Sequence, residues 1–121
     1  MKNAEEIVVK YVGKLEQKEI ENLIAQHGKV YPLEVEATDD GTEIAVAYLK
    51  RPDRILLGGV LAIQKTNIIR SKEMLLEACF VAGDKRILED DEMFFAAMGE
   101  LDGLITNRVA YLKKNLTKQE A

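Results

Sequence analysis

The stretch that most constrains this fold is Ile44 to Asp53 (IAVAYLKRPD), where a strand pattern runs straight into a proline-started helix. Pro52 has no amide hydrogen and a fixed φ, so it ends a strand and is tolerated in the first turn of a helix. Asp53 behind it complements the positive end of the helix dipole. Upstream, Tyr31, Leu33, Val35 and Ala37 alternate with Pro32, Glu34 and Glu36. Across Thr38-Asp39-Asp40-Gly41, Ile44, Val46 and Tyr48 alternate with Ala45, Ala47 and Leu49. Period two on both sides of a turn sequence predicts an antiparallel hairpin. A loop of Thr38 to Gly41 sets Ala37 opposite Thr42, Val35 opposite Ile44, Leu33 opposite Val46 and Tyr31 opposite Tyr48, which gathers the large apolar residues on one face. Glu36 then faces Glu43, a like-charge pair on the solvated side. Pro32 cannot donate to a ladder, so its side of the strand is predicted to be a sheet edge.

The remainder reads as helical. An N-terminal helical segment is expected from Ala4 to about Gln26, opened by a capping pair, Asn3 and Glu6. It is broken between Gly13 and Gln17, where the Ile7-Tyr11-Leu15 stripe and the Ile20-Leu23-Ile24-His27 stripe fall out of phase. Ile7, Val8, Val9, Tyr11 and Val12 favour strands as well. Gly28 ends this segment. Three helices follow the hairpin: one from Pro52 through Ile63, one from an Asn67 cap to Cys79, and one from Asp90 or Asp91 to about Lys114. Ala82-Gly83-Asp84 stops the second, and Phe94, Met98, Leu101, Ile105, Leu112 and Leu116 form the stripe of the third. Gly58 and Gly59 each cost a helix about 1 kcal/mol against alanine. The pair is read as permitting close approach of another backbone, with a hinge as the alternative. The predicted class is α+β, with an N-terminal helical segment, one antiparallel β-hairpin and three α-helices packed on it. A single domain spans 1–121, with 1–15 as a loosely attached extension and 115–121 as a frayed tail.

Composition and spacing remove several function classes. The 17 Lys and Arg against 21 Asp and Glu leave a net charge of −4 and no clustered basic face for nucleic acid. No window is apolar enough to span a bilayer, and Glu5 and Glu6 stand where a signal peptide needs basic residues. A cytoplasmic location is therefore expected. One cysteine, Cys79, cannot form an internal disulfide, and one Cys with one His cannot build a zinc site. Asp84, Glu89, Asp90, Asp91 and Glu92 lack the spacing of a calcium loop and read as capping and dipole complementation. Asp39-Asp40-Gly41 is explained by turn chemistry. Leu49-Lys50-Arg51-Pro52-Asp53 has no glycine and no early amide to cradle a phosphate. His27 reads as a helix C-terminal residue and Cys79 as a small buried thiol. No catalytic residue, metal or cofactor is expected; an enzyme would have to bring His27 or Cys79 against Asp84 to Glu92 in one pocket.

Two strands alone are marginal in water, so a hairpin gains strands from its own chain, from another subunit or from an extended peptide. A homo-oligomer through the hairpin edge is one expectation. The segments Gln26-His27-Gly28-Lys29-Val30-Tyr31, Tyr48-Leu49-Lys50-Arg51-Pro52-Asp53-Arg54 and Leu75-Leu76-Glu77-Ala78-Cys79-Phe80-Val81-Ala82-Gly83-Asp84 occur in that order, ahead of a helix opened by Asp90-Asp91-Glu92. Over about Gln26 to Lys114 this resembles the small tail assembly chaperones of long-tailed bacteriophages and prophages. The resemblance implies a non-enzymatic protein of the host cytoplasm that binds the tape measure protein and keeps it soluble while tail tube subunits polymerise around it. Candidate contacts with a tape measure or tail tube partner are Met93 and Phe95, off the main stripe of the last helix, with Tyr48, Arg51 and Phe80 behind them. Phe94 and Met98 read as core. The alternative is a small acidic adaptor or secretion-type chaperone that binds an extended peptide segment.

Overall fold

The structure, a computed structural model, describes residues 8–106 and 108–114. The expected Asn3–Glu6 cap, Leu116 and the tail at 115–121 lie outside the described residues. In chain order the elements are β1 (Lys10–Val12), α1 (Gln17–His27), β2 (Val30–Glu36), β3 (Glu43–Lys50), α2 (Arg54–Gln64), α3 (Ile68–Cys79), β4 (Phe80–Gly83), α4 (Arg86–Glu89), α5 (Asp91–Met98) and α6 (Asp102–Ile105). The class is α+β, as predicted, but the hairpin is the middle of a four-stranded sheet. Central β3 pairs antiparallel with β2 on one side. Its other side is divided between β1, parallel against Glu43–Ala45, and β4, antiparallel against Ala47–Leu49.

The N-terminal segment thus departs from the helical expectation. Tyr11 and Val12 have strand propensity, and an unfilled edge of β3 offers them backbone partners; the Lys10 amide donates to Thr42 O at 2.8 Å. Residues 10–12 are pinned in the sheet instead of forming a loose extension. Helix follows only from Gln17, where the Glu16 amide donates to the Glu19 carboxylate at 3.1 Å.

The hairpin forms in a register displaced by one residue. Val35 pairs with Ala45, Leu33 with Ala47 and Tyr31 with Leu49, while Glu36 faces Ile44 instead of Glu43. Side-chain chemistry in the loop accounts for the slip. Asp40 Oδ1 accepts from Thr38 Oγ1 at 2.8 Å, Thr42 Oγ1 at 2.7 Å and the Thr42 amide at 3.1 Å, which takes Thr42 into the loop. The ladder therefore closes at Ala37, whose amide donates to Glu43 O at 2.8 Å.

A one-residue slip exchanges faces, and the large apolar residues divide accordingly. Leu33, Val35, Ala45, Ala47 and Leu49 join the main core with Val60, Leu75, Leu76, Cys79, Ile87, Phe94, Ala97, Leu101 and Leu104. Val46 and Tyr48 point the other way and are buried too. That face is covered by the connection into α1, where the Leu15 amide donates to Tyr48 Oη at 3.1 Å.

Helix starts follow the sequence closely. Asp53, Asn67 and Asp90 accept from the amides of Leu56, Arg70 and Met93 at 2.8, 2.9 and 3.0 Å, each cap stabilising its helix by about 1 kcal/mol. The last helix does not run to Lys114. It stops at Met98, resumes only as α6, and leaves the described residues beyond Thr106 without helix; Gly99 and Gly103 interrupt the expected stripe at a cost of about 1 kcal/mol each. Gly58 and Gly59 do not admit another backbone. A Cβ at Gly58 would meet nothing within 4 Å, and one at Gly59 only Met74 Cε at 4.0 Å.

Close approach occurs elsewhere, where β1 and β4 meet end to end beside Val46. Gly83 (φ +121) lies against Val46 O and Ala47 Cα. At Gly13 (φ +90) a Cβ would fall 2.6 Å from both Val46 O and the Asp84 amide. The Asp84 amide itself donates to Val46 O at 2.9 Å. Arg86 locks this junction, donating from Nε and Nη2 to Asp84 Oδ2 at 3.0 and 2.7 Å, and from Nη2 to Glu43 Oε2 at 2.6 Å. Hydrogen bonds from the Arg86 side chain hold the Asp84 carboxyl below its ordinary value of 3.8. A carboxylate depressed in the folded chain adds stability above its ordinary pKa and loses it as pH falls through the folded value. Asp84→Asn is therefore expected to lower the urea midpoint at neutral pH and to converge on the parent as pH falls through the folded value of Asp84. A difference that stays constant to the lowest pH would contradict this.

Candidate protein-binding edge

The geometry of β2 follows from its hydrogen bonds. In an antiparallel pair, residues alternate between bonding the neighbour and pointing away. Because Ala37 bonds Glu43, the residues Val35, Leu33 and Tyr31 bond β3, and Pro32, Glu34 and Glu36 direct their backbone groups outward. Among the described residues no strand pairs with that side. Pro32 is on the edge strand, as its missing donor predicts.

The edge borders a groove of about 590 Å³ between Pro32–Glu36 on one side and, on the other, Ala96 of α5 and Glu100 in the turn after it. A smaller hollow of about 180 Å³ continues it past Tyr31, Leu49, Gly103 and Leu104. Toward the hairpin loop a third, of about 360 Å³, is lined by Glu36, Asp39, Asp90 and Glu92 along with Arg86. Arg86 is already held by Asp84 and Glu43, so the rim is strongly acidic. Its floor is apolar, from Leu33, Val35 and Ala96. Such a channel suits a chain that presents backbone donors and acceptors together with positive charge.

The candidate contact residues do not form one surface. Tyr48, 3% exposed, and Met93, 5% exposed, are buried, though Met93 keeps an edge on the hollow toward the hairpin loop. Tyr48 lies under the α1 connection, and Met93 faces inward beside Phe94. Phe80 is half-buried and packs against the core from β4. Arg51 is half-buried at the end of β3, its guanidinium 5.8 Å from the centre of the Tyr31 ring, with Nε lacking a hydrogen-bond partner. Phe95 is exposed, at 53%, one residue from the groove-lining Ala96. Phe94 is core, and Met98 packs against the core. The residues missed were Glu34, Glu36 and Glu100; Pro32 was their one sequence signal.

A second surface is apolar without being concave. From Ile55 to Ile63, α2 carries no charged side chain, yet only Val60 is buried and Ile55 is 88% exposed. Leu61, Ile68 and Ile69 are exposed nearby in sequence on α2 and α3.

His27 and Cys79 are not brought to one site. His27 is exposed at the end of α1, whereas Cys79 is fully buried in the main core, where desolvation pushes its thiol up to about 11. Such a thiol is inert at neutral pH. Among the described residues no cluster of three His, Cys, Asp or Glu side chains is placed to hold a metal ion, and no helix is long and apolar enough to cross a membrane.

No family model and no curated protein matches the chain. Among solved structures it is similar to an uncharacterised protein, rbstp2171, from Bacillus stearothermophilus, with a TM-score of 0.56 and 17% identity over 78% of this chain and 99% of that one. At that identity the likeness shows the fold alone.

Proposed function

We propose that this chain is a non-enzymatic chaperone that holds a segment of a protein partner in extended form along the edge of β2. The observation that carries the reading is the outward row of backbone groups at Pro32, Glu34 and Glu36 beside the acidic groove. Main-chain hydrogen bonds to such an edge supply affinity with little demand on sequence, and the flanking pockets select side chains. A partner prone to aggregate through its own strands stays soluble while one of them is held. In the setting implied by the resemblance to tail assembly chaperones, the client is a tape measure protein, or a tail tube protein, kept in the host cytoplasm until the tube forms. A small acidic adaptor or secretion-type chaperone would use the same edge on another client.

Co-expression with a tape measure protein from a neighbouring gene tests the reading. The parent chain is expected to raise the soluble yield of the client and to co-purify with it. Glu34→Pro removes an outward donor while sparing the bonds to β3, and should weaken binding by about tenfold or more. Ile55→Lys, on the α2 surface, should leave binding intact. Loss with Ile55→Lys and retention with Glu34→Pro would place the client on the apolar helices and overturn the proposal.

A further inference from the structure

The described segment that follows α6 matches the β2 groove in charge, in hydrogen-bonding capacity and in position. Residues 108–114 read Arg-Val-Ala-Tyr-Leu-Lys-Lys. They form no helix or strand, and Val109, Tyr111 and Leu112 are 72, 78 and 83% exposed. A segment with that much exposed apolar surface and two strand-favouring residues, Val109 and Tyr111, is suited to completing a sheet. In extended form its side chains alternate, so Val109, Tyr111 and Lys113 share one face and Arg108, Ala110, Leu112 and Lys114 the other. In the register that turns Val109 and Tyr111 toward α5, the first set falls with Leu33 and Val35. The second falls with Pro32, Glu34 and Glu36. Arg108 and Lys114 then fall with Glu34 and Glu36, and Lys113 falls on the α5 side with Glu100.

We infer that the β2 edge is an interface between two copies of this chain, each inserting residues 108–114 into the groove of the other. This rests on the reading of β2 as an open edge, though its test needs no client. Gly103 and Leu104 line the Tyr31 end of the groove, so the segment leaves the body beside the site, and a reciprocal exchange closes as a two-fold dimer. In the single chain the same residues stand undocked. The chemistry recognised is an extended segment with apolar residues flanked by Lys and Arg, so a client that displaces the exchanged segment must present a basic strand of its own.

Charge reversal with the full chain tests this. Glu34, Glu36, Glu100, Arg108, Lys113 and Lys114 are all exposed, so their substitution spares the fold. Sedimentation velocity is expected to show a dimer for the parent chain, weaker at high salt. Glu34→Lys/Glu36→Lys/Glu100→Lys and Arg108→Glu/Lys113→Glu/Lys114→Glu should each weaken the dimer by about tenfold or more. An equimolar mixture of the two variants should restore it, because each groove then meets a segment of opposite charge from the other chain. A parent chain that stays monomeric at all concentrations overturns the inference, as does a dimer indifferent to both variants. A parent dimer that each variant weakens but that the mixture does not restore also overturns the exchange between copies. Failure to find a client, with the charge-swapped mixture dimerising, would remove the chaperone reading and leave this interface standing.

Discussion

Gly83→Ala is expected to lower the melting temperature by about 10 °C or more. Gly83 has φ +121 and is pressed against Val46 O and Ala47 Cα, so an added methyl group meets backbone that cannot move without opening the sheet. Strain from the positive φ costs about 1–3 kcal/mol, and overpacking adds about 1–3 kcal/mol. Together these are a large part of the roughly 5–15 kcal/mol that holds a domain folded. Gly58→Ala provides the contrast. Its Cβ meets nothing within 4 Å, and alanine in the interior of α2 should add about 0.5–1 kcal/mol. Equal and small effects at the two glycines, measured by thermal or urea unfolding, would contradict the junction of β1, β4 and Val46.

Leu76→Ala is the second large effect, an expected loss of about 2–5 kcal/mol. Leu76 is fully buried on α3 and belongs to the core that joins the sheet to α2, α3 and α5, so removing its branched end leaves a cavity that its packed neighbours fill only in part. Ile55→Ser should shift stability by less than about 0.5 kcal/mol, because Ile55 is exposed and loses no contact in the single chain. A large loss at Ile55 would mean that the α2 surface is covered in the folded protein.

Much of the fold can be read from residues with one strong local reason to be where they are. Asp53, Asn67 and Asp90 cap helices because their side-chain oxygens reach early amides. Pro32 marks the sheet edge because it cannot donate to a ladder. The hairpin register depended on a subtler balance, in which Asp40 captures both Thr38 and Thr42 and lengthens the loop by one residue. The sequence does carry a warning against one-faced burial of β3. Ala45, Ala47 and Leu49 are as apolar as Ile44, Val46 and Tyr48, and an unbroken apolar run is the pattern of a strand covered on both sides. Strands β1 and β4 are three and four residues long, too short for a period of two to emerge, and exist because β3 had an edge to fill. Met93 was read as a contact because it departs from the helical stripe, whereas α5 turns it inward; Tyr48, read as a contact behind it, is buried by the layer that covers the other face of the sheet.

Amide hydrogen exchange at Glu34 and Glu36, with the chain dilute enough to be monomeric, tests the role of the β2 edge most directly. Their amides point away from β3 and should exchange fast in the isolated chain, while those of Leu33 and Val35 are protected by the ladder. On addition of a bound client segment, exchange at Glu34 and Glu36 is expected to slow by about tenfold or more, with little change at Leu33 and Val35. Binding that leaves Glu34 and Glu36 fast while slowing amides of α2 and α3 would contradict strand addition at this edge.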